Sequence, residues 1–527
     1  MADIKINDLP TKTDTINNSD KFIITDSEDS NASKNVLGSN LRVLGEAKRS
    51  IVIAKDGTGD YNCTGTDHDG DDQVVINNAI TNASAGDVII FKPDTYYLKG
   101  KGKAGYSNWG SIHIEKSLHI IAYGCVFDAM QGTTTPDDED DEYIVAFQPI
   151  AEGGCDNSSW SGGYFTFTDR SISPTDGGGG IWLRSTYDIT NVVIRDLEIV
   201  IPNSTVFGNF GIYTQTNYDI TIENCIFRNT ISSAITFDGD STDLENFFNL
   251  TISGCKFYEC SRGIRHNNES YFYYGMNIDN CIFIECVDPI LISSCYHWNI
   301  DNCILVDSEN SAIRISGITE AYGNINNCNI LRTTDSIAEG IKISTSSYIN
   351  VSNCVIKDTS LYAIHSSSGA NSNLNFSNLN IIQENSVGNG HGIYFYWGSS
   401  TKGQNINMSE INYVGTGIGI YILGKDKVKL SNISIEDTSG SASFQGVRTD
   451  SNVVDLYLSN ISVEGYSSGT QYDLNNIGIR KIKNCNGLGD TFETLADASA
   501  QNNSVYYSST QSKLVYKDSG GTINNLY

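Results

Sequence analysis

One phrase, repeated down the middle of the 527-residue chain, constrains its fold more than any other feature. Each copy alternates apolar and polar residues, reaches a cysteine, and places another apolar residue two positions later. The copies are ITIENCIF from Ile220, LTISGCKF from Leu250, MNIDNCIF from Met276, WNIDNCIL from Trp298, GNINNCNI from Gly323 and INVSNCVI from Ile349. Their cysteines are separated by 30, 26, 22, 25 and 26 residues. Self-similarity at this period predicts a solenoid, in which each unit buries its apolar face only against its neighbours.

The repeat unit also predicts which kind of solenoid forms. Alternation of apolar and polar residues is the period of a β-strand. One inserted residue, such as Asn224 or Gly254, interrupts the alternation, and Asn and Gly tolerate a left-handed backbone. The insertion therefore predicts a bend between two short strands, and a third strand, such as GIYT from Gly211 or GIKI from Gly340, precedes the next copy. Together these elements predict an all-β protein, a right-handed parallel β-helix of about a dozen coils.

The chain contains 13 cysteines, which we expect to be free, buried thiols. The slot of Cys281 accepts Leu379 and Ile411 in later copies, so it is an inward apolar position. Disulfides between coils remain the alternative, because stacked coils lie about 4.8 Å apart, within the range that a disulfide allows. No Cys-x-x-Cys pair of the zinc type occurs, and we predict no metal site and no cofactor.

The charge balance and the N-terminus limit the partners. A formal net charge of −28 favours solubility and argues against a nucleic acid partner. No apolar run is long enough to span a bilayer, so we expect no membrane insertion. The first residues, MADIKINDLP, lack the apolar core of a secretory signal, which predicts synthesis in a cytoplasm.

Three stretches resemble parts of phage tailspikes and tail fibres. Residues 1–48, which include FIITDSEDS, resemble their N-terminal particle-attachment modules; a small polar β-extension is the alternative. From Ile51, IVIAKDGTGDYNCTG and a helix expected from Asp71 to Ala83 resemble the entry to the pectate-lyase-like tailspike fold, where a helix caps the first coil. The C-terminal VYYSSTQSKLVYK resembles the short β-tips of tail proteins. The predicted domains are 1–48 for attachment, 49–484 for the β-helix with an insertion around 130–180, and 485–527 for the tip.

The resemblance implies a function. It implies a receptor-binding protein of the virion tail, made in the host cytoplasm, that binds a host cell-surface polysaccharide and cleaves it. It also implies a homotrimer whose N-terminus contacts other tail or baseplate proteins. Because this fold supports hydrolases, lyases and pure binders alike, the reaction type stays open. A non-catalytic tail adhesin and a structural virion solenoid remain as alternatives.

Catalytic candidates are carboxylates near the ends of third strands. The loop FDGDSTDLENFF supplies Asp238 and Asp240, and the loop of the next coil supplies Glu269. Carboxylates in adjacent coils would lie about 5 Å apart, near the carboxylate spacing of retaining glycosidases. Carboxylates two coils apart would lie about 10 Å apart, near the upper limit for inverting glycosidases. His266 follows an inward Ile by two positions, so we expect it to be buried.

Two surface columns of opposite charge follow from the register. The residue after the inward Ile of each third strand faces outward and forms what we call the basic–aromatic stripe. Its predicted members are Tyr213, Thr236, Arg265, Leu291, Arg314, Lys342, His365, Tyr394 and Arg448. The acidic column lies four residues after the cysteine slot and comprises Glu259, Glu285, Asp307, Asp358 and Asp437. Either the two columns neutralise each other, or the stripe, through Arg265, Arg314 and Lys342, binds an acidic glycan.

Aromatic residues form two further sets. The connecting loops YFYYG and CYHW supply Tyr271, Tyr273, Tyr274 and Trp298, which we interpret as a platform for sugar rings. A column before each bent strand pair is interpreted instead as a structural stack. Its members are Tyr218, Phe248, Tyr274, Tyr296, Tyr322 and Tyr348.

Overall fold

Parallel β-strands dominate the computed structural model of the chain. It describes residues 21–25, 33–37, 49–68, 70–98, 110–130, 143–149, 153–168, 179–183, 189–201, 210–215, 217–238, 247–266, 273–293, 295–316, 322–335, 338–344, 346–367, 373–384, 391–396, 405–423, 427–438, 445–449, 455–465, 470–474, 479–485, 494–495, 504–508, 510–511, 513–518 and 520–525. These residues contain one α-helix, Asp72–Asn82, and their strands form four sheets.

One sheet collects the third strand of each coil, and we call it the third-strand sheet. Among the described residues it has 14 strands, and each pairs in parallel with the strands of the adjacent coils. They are Gly110–Ile114, Tyr143–Phe147, Gly179–Leu183, Phe210–Gln215, Ser233–Asp238, Arg262–His266, Asp288–Ser293, Ile313–Ser316, Glu339–Ser344, Tyr362–Ser367, His391–Tyr396, Ile420–Leu423, Gln445–Thr449 and Thr470–Leu474. Spatial order follows chain order, as expected when every coil stacks directly on its predecessor.

The bent strand pairs form a second large sheet, the bent-strand sheet, with 27 strands in the described residues. They are Ser50–Ala54, Tyr61–Asn62, Val88–Phe91, Thr95–Leu98, His119–Ile121, Val126–Met130, Ser159–Ser161, Tyr164–Thr168, Ile189–Arg195, Glu198–Val200, Asn217–Glu223, Ile226–Arg228, Phe247–Ser253, Lys256–Tyr258, Tyr273–Asp279, Ile282–Ile284, Cys295–Asp301, Ile304–Ser308, Tyr322–Asn326, Asn329–Thr333, Ile349–Ser352, Val355–Lys357, Leu374–Gln383, Asn405–Gly415, Lys427–Asp437, Asp455–Glu464 and Ile479–Cys485. The predicted right-handed parallel β-helix is thus confirmed, since parallel crossovers of this kind are right-handed.

The bend inside each pair depends on one left-handed residue, as predicted. The inserted asparagines have φ between 50° and 55°, and Gly254 has φ 63°. Those asparagines are Asn224, Asn280, Asn302, Asn327, Asn353, Asn378, Asn432 and Asn460. Their amides also bond from coil to coil, as where Asn378 Nδ2 donates to Asn353 Oδ1 at 2.7 Å. The inserted asparagine therefore bends the chain with its backbone and links neighbouring coils with its side chain.

The interior is a set of stacked apolar columns, one of them made of thiols. All 13 cysteines are free and buried, which confirms the prediction. Cys281 donates from Sγ to the Asp279 carbonyl oxygen at 3.3 Å, and contact with the Cys255 thiol together with burial raises its pKa. Beside the thiols, Phe257 stacks on Phe283 with ring centroids 4.5 Å apart and an interplanar angle of 3°. Each coil therefore buries its apolar side chains against apolar groups of the coils above and below.

The helix caps the first coil as expected. It runs over Asp72–Asn82, one residue inside each predicted bound, and buries Ile76, Ala79 and Ile80. Asp72 is fully buried and accepts a hydrogen bond from Lys55 Nζ at 2.8 Å, so its charge is compensated. The helix covers a strand edge that would otherwise pair with other chains.

The ends of the chain and the predicted insertion add smaller elements. Lys21–Thr25 and Ser33–Leu37 pair antiparallel, and Ser504–Ser508, Lys513–Lys517 and Ile523–Asn525 form the predicted C-terminal hairpin and last strand. The sequence of the stretch TFETLADASAQ predicts a short helix, but the structure describes Thr494–Leu495 within it as a strand paired with Tyr507 and Ser508, so that prediction is wrong there. Within 130–180, the strands at 143–147, 159–161 and 164–168 form a coil paired with its neighbours on both sides.

Candidate functional site

The basic–aromatic stripe forms on the outer face of the third-strand sheet. Strand register aligns its predicted members Cα to Cα from Tyr213 to Tyr394, and then through Tyr421 to Arg448. Tyr421 was missed by the sequence analysis, although GIYI at Gly419 matches the third-strand phrase. Thr236 keeps this register between Tyr213 and Arg265, but its side chain is buried. The remaining side chains of the stripe are partly or fully exposed.

A buried carboxylate adjoins the middle of the stripe. Glu339 begins the strand Glu339–Ser344, and 7% of its side chain is exposed. It accepts hydrogen bonds from Ser311 Oγ at 2.7 Å, Lys342 Nζ at 3.1 Å and His365 Nδ1 at 2.8 Å. Burial disfavours its charged form, but these hydrogen bonds and the Lys342 charge outweigh burial and lower the pKa of Glu339 to about 2. Glu339 is therefore a fixed negative charge at neutral pH.

The contact with Glu339 orients the imidazole of His365. A carboxylate without a proton can only accept hydrogen bonds, so Nδ1 of His365 must carry the proton in this contact. In the neutral ring, Nε2 is then the acceptor. The Glu339–His365 pair thus has the arrangement of an oriented general base.

Tyrosines extend the stripe beyond His365. Tyr362 and Tyr394 stack with ring centroids 4.5 Å apart, and the His365 ring lies 5.3 Å from that of Tyr394. Burial, with smaller effects from neighbouring tyrosines, raises the pKa of Tyr394 to about 12. Arg448 lies over the ring of Tyr421 at 4.5 Å, a cation–π contact. This part of the face combines protonated phenols, an imidazole and a guanidinium.

A second outward column lies three residues before the stripe in each third strand, and its side chains interact with those of the stripe. It contains Arg262, Asp288, Glu339, Tyr362 and His391. Asp288 is partly buried, and burial raises its pKa although the nearby Arg262, Arg314 and Lys342 charges act in the opposite direction. Sequence reasoning missed this column, because its residue type changes at every coil.

The acidic column has mainly an architectural role. Glu259, Glu285, Asp307 and Asp358 have φ between 51° and 55°, so they form the left-handed turn between the second and third strands. Asp307 pairs with Arg332, the next residue of its own column, through two hydrogen bonds of 2.6 and 2.7 Å. Neutralisation therefore occurs within this column at Asp307, and Lys342 of the stripe pairs with Glu339 instead.

The predicted catalytic carboxylates lie largely outside the described residues. Asp240, Glu269 and Tyr271 are not among the described residues. Asp238 is the last residue of Ser233–Asp238, in register with Gln215 and two positions beyond the stripe. Their role in catalysis stays a prediction.

Trp298 differs from its predicted role as an exposed loop platform. It lies within the strand Cys295–Asp301, in register with Met276, and is 1% exposed. Gly323 on the next coil makes room for it, because a Cβ there would come within 2.0 Å of the indole ring. Tyr273 and Tyr274 also belong to a strand, Tyr273–Asp279, rather than to a loop.

The predicted aromatic column needs one correction. A register shift between Tyr274 and Met276 brings His297, not Tyr296, opposite Tyr274. His297, Tyr322 and Tyr348 then stack, with centroids 5.4 and 4.8 Å apart. The side chains of a strand alternate between its two faces, so the one-residue shift at the bulge replaces Tyr296 by His297 in the aromatic column.

The described residues contain no cluster of His, Cys, Asp or Glu side chains that could hold a metal ion. Their one helix is too short and too polar to cross a bilayer. The outer face of the third-strand sheet offers cations that can bind an anion, an oriented imidazole that can take a proton, and phenols that can donate one.

Comparisons with known proteins bear on the fold of the chain. Residues 243–407 match the family described as "Right handed beta helix region". The chain is similar to tailspike protein 3 of bacteriophage CBA120, with 12% identity, a TM-score of 0.43, and coverage of 96% of this chain and 73% of that chain. A mutant tailspike protein of E. coli bacteriophage HK620, in complex with a hexasaccharide, shows 12% identity, a TM-score of 0.46, and coverage of 87% and 83%.

A mannuronan C-5 epimerase A-module from Azotobacter vinelandii is also similar, with 12% identity, a TM-score of 0.30, and coverage of 78% of this chain and 94% of that chain. No curated protein matches the sequence. At these identities the likeness concerns the fold alone. The resemblance to phage tailspikes that the sequence indicates is confirmed in that sense, as a shared parallel β-helix.

Proposed function

We propose that the protein is a tailspike-like receptor-binding protein that binds an acidic cell-surface polysaccharide along the outer face of the third-strand sheet. The observation that carries the proposal is the basic–aromatic stripe, aligned coil by coil around the buried Glu339. The chain has a net charge of −28, so a face that collects Arg314, Lys342 and Arg448 opposes its overall charge. Cations flanked by tyrosines suit a ligand with both carboxylates and sugar rings.

We further propose that the bound glycan is cleaved, and the Glu339–His365 pair supports β-elimination of a uronic acid. Arg314 would bind the uronate carboxylate, and His365 Nε2 would take the proton from the adjacent carbon. The electron pair left behind forms a C=C bond as the glycosidic C–O bond breaks. The departing oxygen takes its proton from Tyr394, whose raised pKa keeps the hydroxyl protonated.

Hydrolysis by Asp238, Asp240 and Glu269 is the second candidate, because Asp238 extends the same outer face. Its coil lies four coils before that of Glu339, about 19 Å at the usual spacing. The two centres are therefore separate, and single substitutions can distinguish them.

The assembly is part of the proposal. Residues 1–48 would attach the protein to other tail or baseplate proteins, 49–484 would form the β-helix, and 485–527 the tip of a homotrimer in the virion tail. Light scattering should give three times the 57.5 kDa chain mass. A stable particle of one chain mass would contradict the trimer.

The reaction is tested with acidic and neutral capsular polysaccharides as substrates. β-Elimination yields an unsaturated sugar that absorbs ultraviolet light, whereas hydrolysis yields new reducing ends without that absorbance. We expect His365→Gln to abolish the absorbing product and Asp238→Asn to leave it. Loss of activity in Asp238→Asn alone, with no absorbing product, would assign the reaction to hydrolysis instead.

Binding is tested separately from cleavage. Arg314→Ala should weaken binding of the acidic polysaccharide about tenfold, more at low than at high salt. Lys256→Ala is the matched control, because it removes an exposed cation from the bent-strand sheet. Equal losses in both variants would mean that the stripe is not the binding face.

A further inference from the structure

A groove on the bent-strand sheet has a different chemistry from the stripe. It has a volume of about 730 Å³ and runs across the outer face of the first strands of several coils, from Asn249 to Asn375. None of the described residues that line it is Asp, Glu, Lys or Arg. We call it the amide groove, because asparagines make up much of its lining.

A ladder of asparagine amides forms the floor of the amide groove. Nδ2 of Asn324 donates to Asn299 Oδ1 at 2.8 Å, Asn350 to Asn324 at 2.9 Å, and Asn375 to Asn350 at 2.9 Å. A primary amide has two N–H donors and two acceptor lone pairs, so each keeps one of each after these bonds. The free groups face solvent and repeat about every 4.8 Å, at the coil spacing. Such an array can bond successive hydroxyl groups of an uncharged sugar chain.

An exposed aromatic stack lies beside the ladder. Tyr322 is 47% exposed and Tyr348 39% exposed, and both line the groove with His297. Tyr348 has φ 58°, a left-handed conformation that costs a tyrosine about 1–2 kcal/mol. The same slot in the next coil holds Asn373, with φ 54°, which tolerates that conformation better. A bulky ring kept in a strained position is typical of a functional contact.

The hydrophobic core lies behind the amide groove. Trp298 stands between the exposed His297 and Asn299, but its indole is 1% exposed and belongs to that core. The contacts that the groove offers to a ligand therefore come from the ladder and from the aromatic stack.

We propose that the amide groove binds a neutral oligosaccharide segment that lies along the solenoid axis. Amides and tyrosine hydroxyls bond hydroxyl groups of the sugar, the stack provides apolar surface for sugar C–H groups, and the lining has no Asp, Glu, Lys or Arg to pair with an acidic ligand. The site is on another sheet from the stripe and does not depend on the function proposed there. A receptor with uncharged and acidic segments could engage both faces.

The test uses short neutral oligosaccharides from chitin, cellulose and starch, with oligogalacturonate as the acidic probe, in calorimetric titrations of the full chain. We expect one neutral series to bind with an affinity that changes little with salt. Tyr322→Ala and Asn350→Ala should each weaken this binding about tenfold or more, without weakening oligogalacturonate binding. The matched control is Tyr396→Ala, which removes an equally exposed tyrosine, 49%, from the third-strand sheet.

Several results would overturn the proposal. One is that no neutral series binds, and another is that Tyr396→Ala weakens neutral binding as much as Tyr322→Ala does. A change of oligomeric state in Tyr322→Ala would also overturn it, because the groove would then be a contact with a second copy of the chain. Circular dichroism and the melting temperature show whether each variant is folded, and Tyr322→Phe keeps the ring if Tyr322→Ala is not. Neutral oligosaccharides and oligogalacturonate are both titrated into the same variants. A wrong assignment of the groove would change the results with the neutral probes, whereas a wrong assignment of the stripe would change the results with oligogalacturonate.

Discussion

The basic–aromatic stripe and the amide groove lie on two sheets of the same coils but hold their side chains in different ways. In the stripe, Lys342 and His365 are fixed by contacts with one buried charge, Glu339. In the groove, Asn324 and Asn350 are linked by one neutral hydrogen bond per coil. The stripe therefore depends on a single residue, whereas the groove depends on many small and equal contacts.

The difference follows from how a solenoid repeats. A column of identical amides satisfies itself, because every side chain is both donor and acceptor. A column of charges cannot, since like charges repel at the coil spacing, so it needs an opposite charge in a neighbouring column. The two faces should thus respond independently to surface substitutions, and respond together only when the shared interior is changed.

The largest effect is expected from an interior substitution that should destroy both faces. Cys281 is fully buried between Cys255 and Cys303, and Cys281→Asp would place a charge there without a partner. We expect a loss of at least about 4 kcal/mol in the free energy of unfolding, measured by urea denaturation, or failure to fold. Cys281→Val, which preserves an apolar side chain, should cost less than about 1.5 kcal/mol. Rapid thiol labelling of native Cys281 would contradict the buried position.

This interior was predictable because its rules are local. A buried apolar slot, most often Cys, and a left-handed inserted residue, most often Asn, recur from copy to copy, and alternation of side chains then fixes the stripe. Glu339 was not predictable in the same way, because it precedes Gly340 at a position that carries Tyr362 in the next coil and His391 in the one after. Its importance comes from which side chains stack above and below it, and no single copy of the repeat contains that information.

The amide groove was only partly predictable. The stack at Tyr322 and Tyr348 follows from the repeat, but its third member is His297 because a bulge shifts the register. The buried position of Trp298 depends on the absent side chain of Gly323 one coil later. Such effects arise between coils, so they become visible only when strand pairing is known.

Glu339→Gln should affect the stripe and leave the amide groove unchanged. The amide removes the charge that compensates Lys342 and His365, so we expect a loss of about 3 kcal/mol in the free energy of unfolding. Binding of an acidic glycan at the stripe should change, while binding of neutral oligosaccharides at the groove should not. Glu309→Gln is the control, because it neutralises an exposed carboxylate on a neighbouring coil. Equal effects of the two variants would mean that Glu339 does not organise the stripe.

Acid should destabilise the interior behind the stripe before it affects Glu339. Burial, together with the nearby Arg265 charge, lowers the pKa of His266 from 6.5 to about 3. Between these values the unfolded chain binds a proton that the folded chain does not, so stability falls as the pH falls below 6.5. At pH 5 the expected loss is about 2 kcal/mol. Glu339, whose pKa is lowered to about 2, adds a loss only below its ordinary value of 4.5.

Urea denaturation at pH 7 and pH 5 measures this loss. In His266→Gln the free energy of unfolding should differ much less between the two pH values. His297→Gln is the control, because it removes an exposed imidazole from the groove rather than a buried one. If the parent protein is equally stable at both pH values, His266 does not stay neutral in the folded state.

The smallest change in stability is expected at Tyr348. Tyr348→Asn relieves a left-handed tyrosine, which gains about 1 kcal/mol, but it loses the stacking on Tyr322, which is worth about 0.5–1.5 kcal/mol. The two terms nearly cancel, so the free energy of unfolding should change by less than about 0.5 kcal/mol. Tyr322→Asn is the matched variant. Tyr322 is not left-handed and stacks on both His297 and Tyr348, so Tyr322→Asn gains no relief and loses two stacking pairs, about 1–3 kcal/mol.

Both variants should weaken neutral oligosaccharide binding, although only one of them affects folding. This combination would mean that Tyr348 is kept in a strained conformation for the ligand rather than for the fold, in contrast to Glu339, which serves both. Denaturation curves and titrations on the same samples measure the two effects. A loss of stability in Tyr348→Asn as large as that in Tyr322→Asn would instead assign the ring a structural role, and the groove would then resemble the stripe in depending on its central residue.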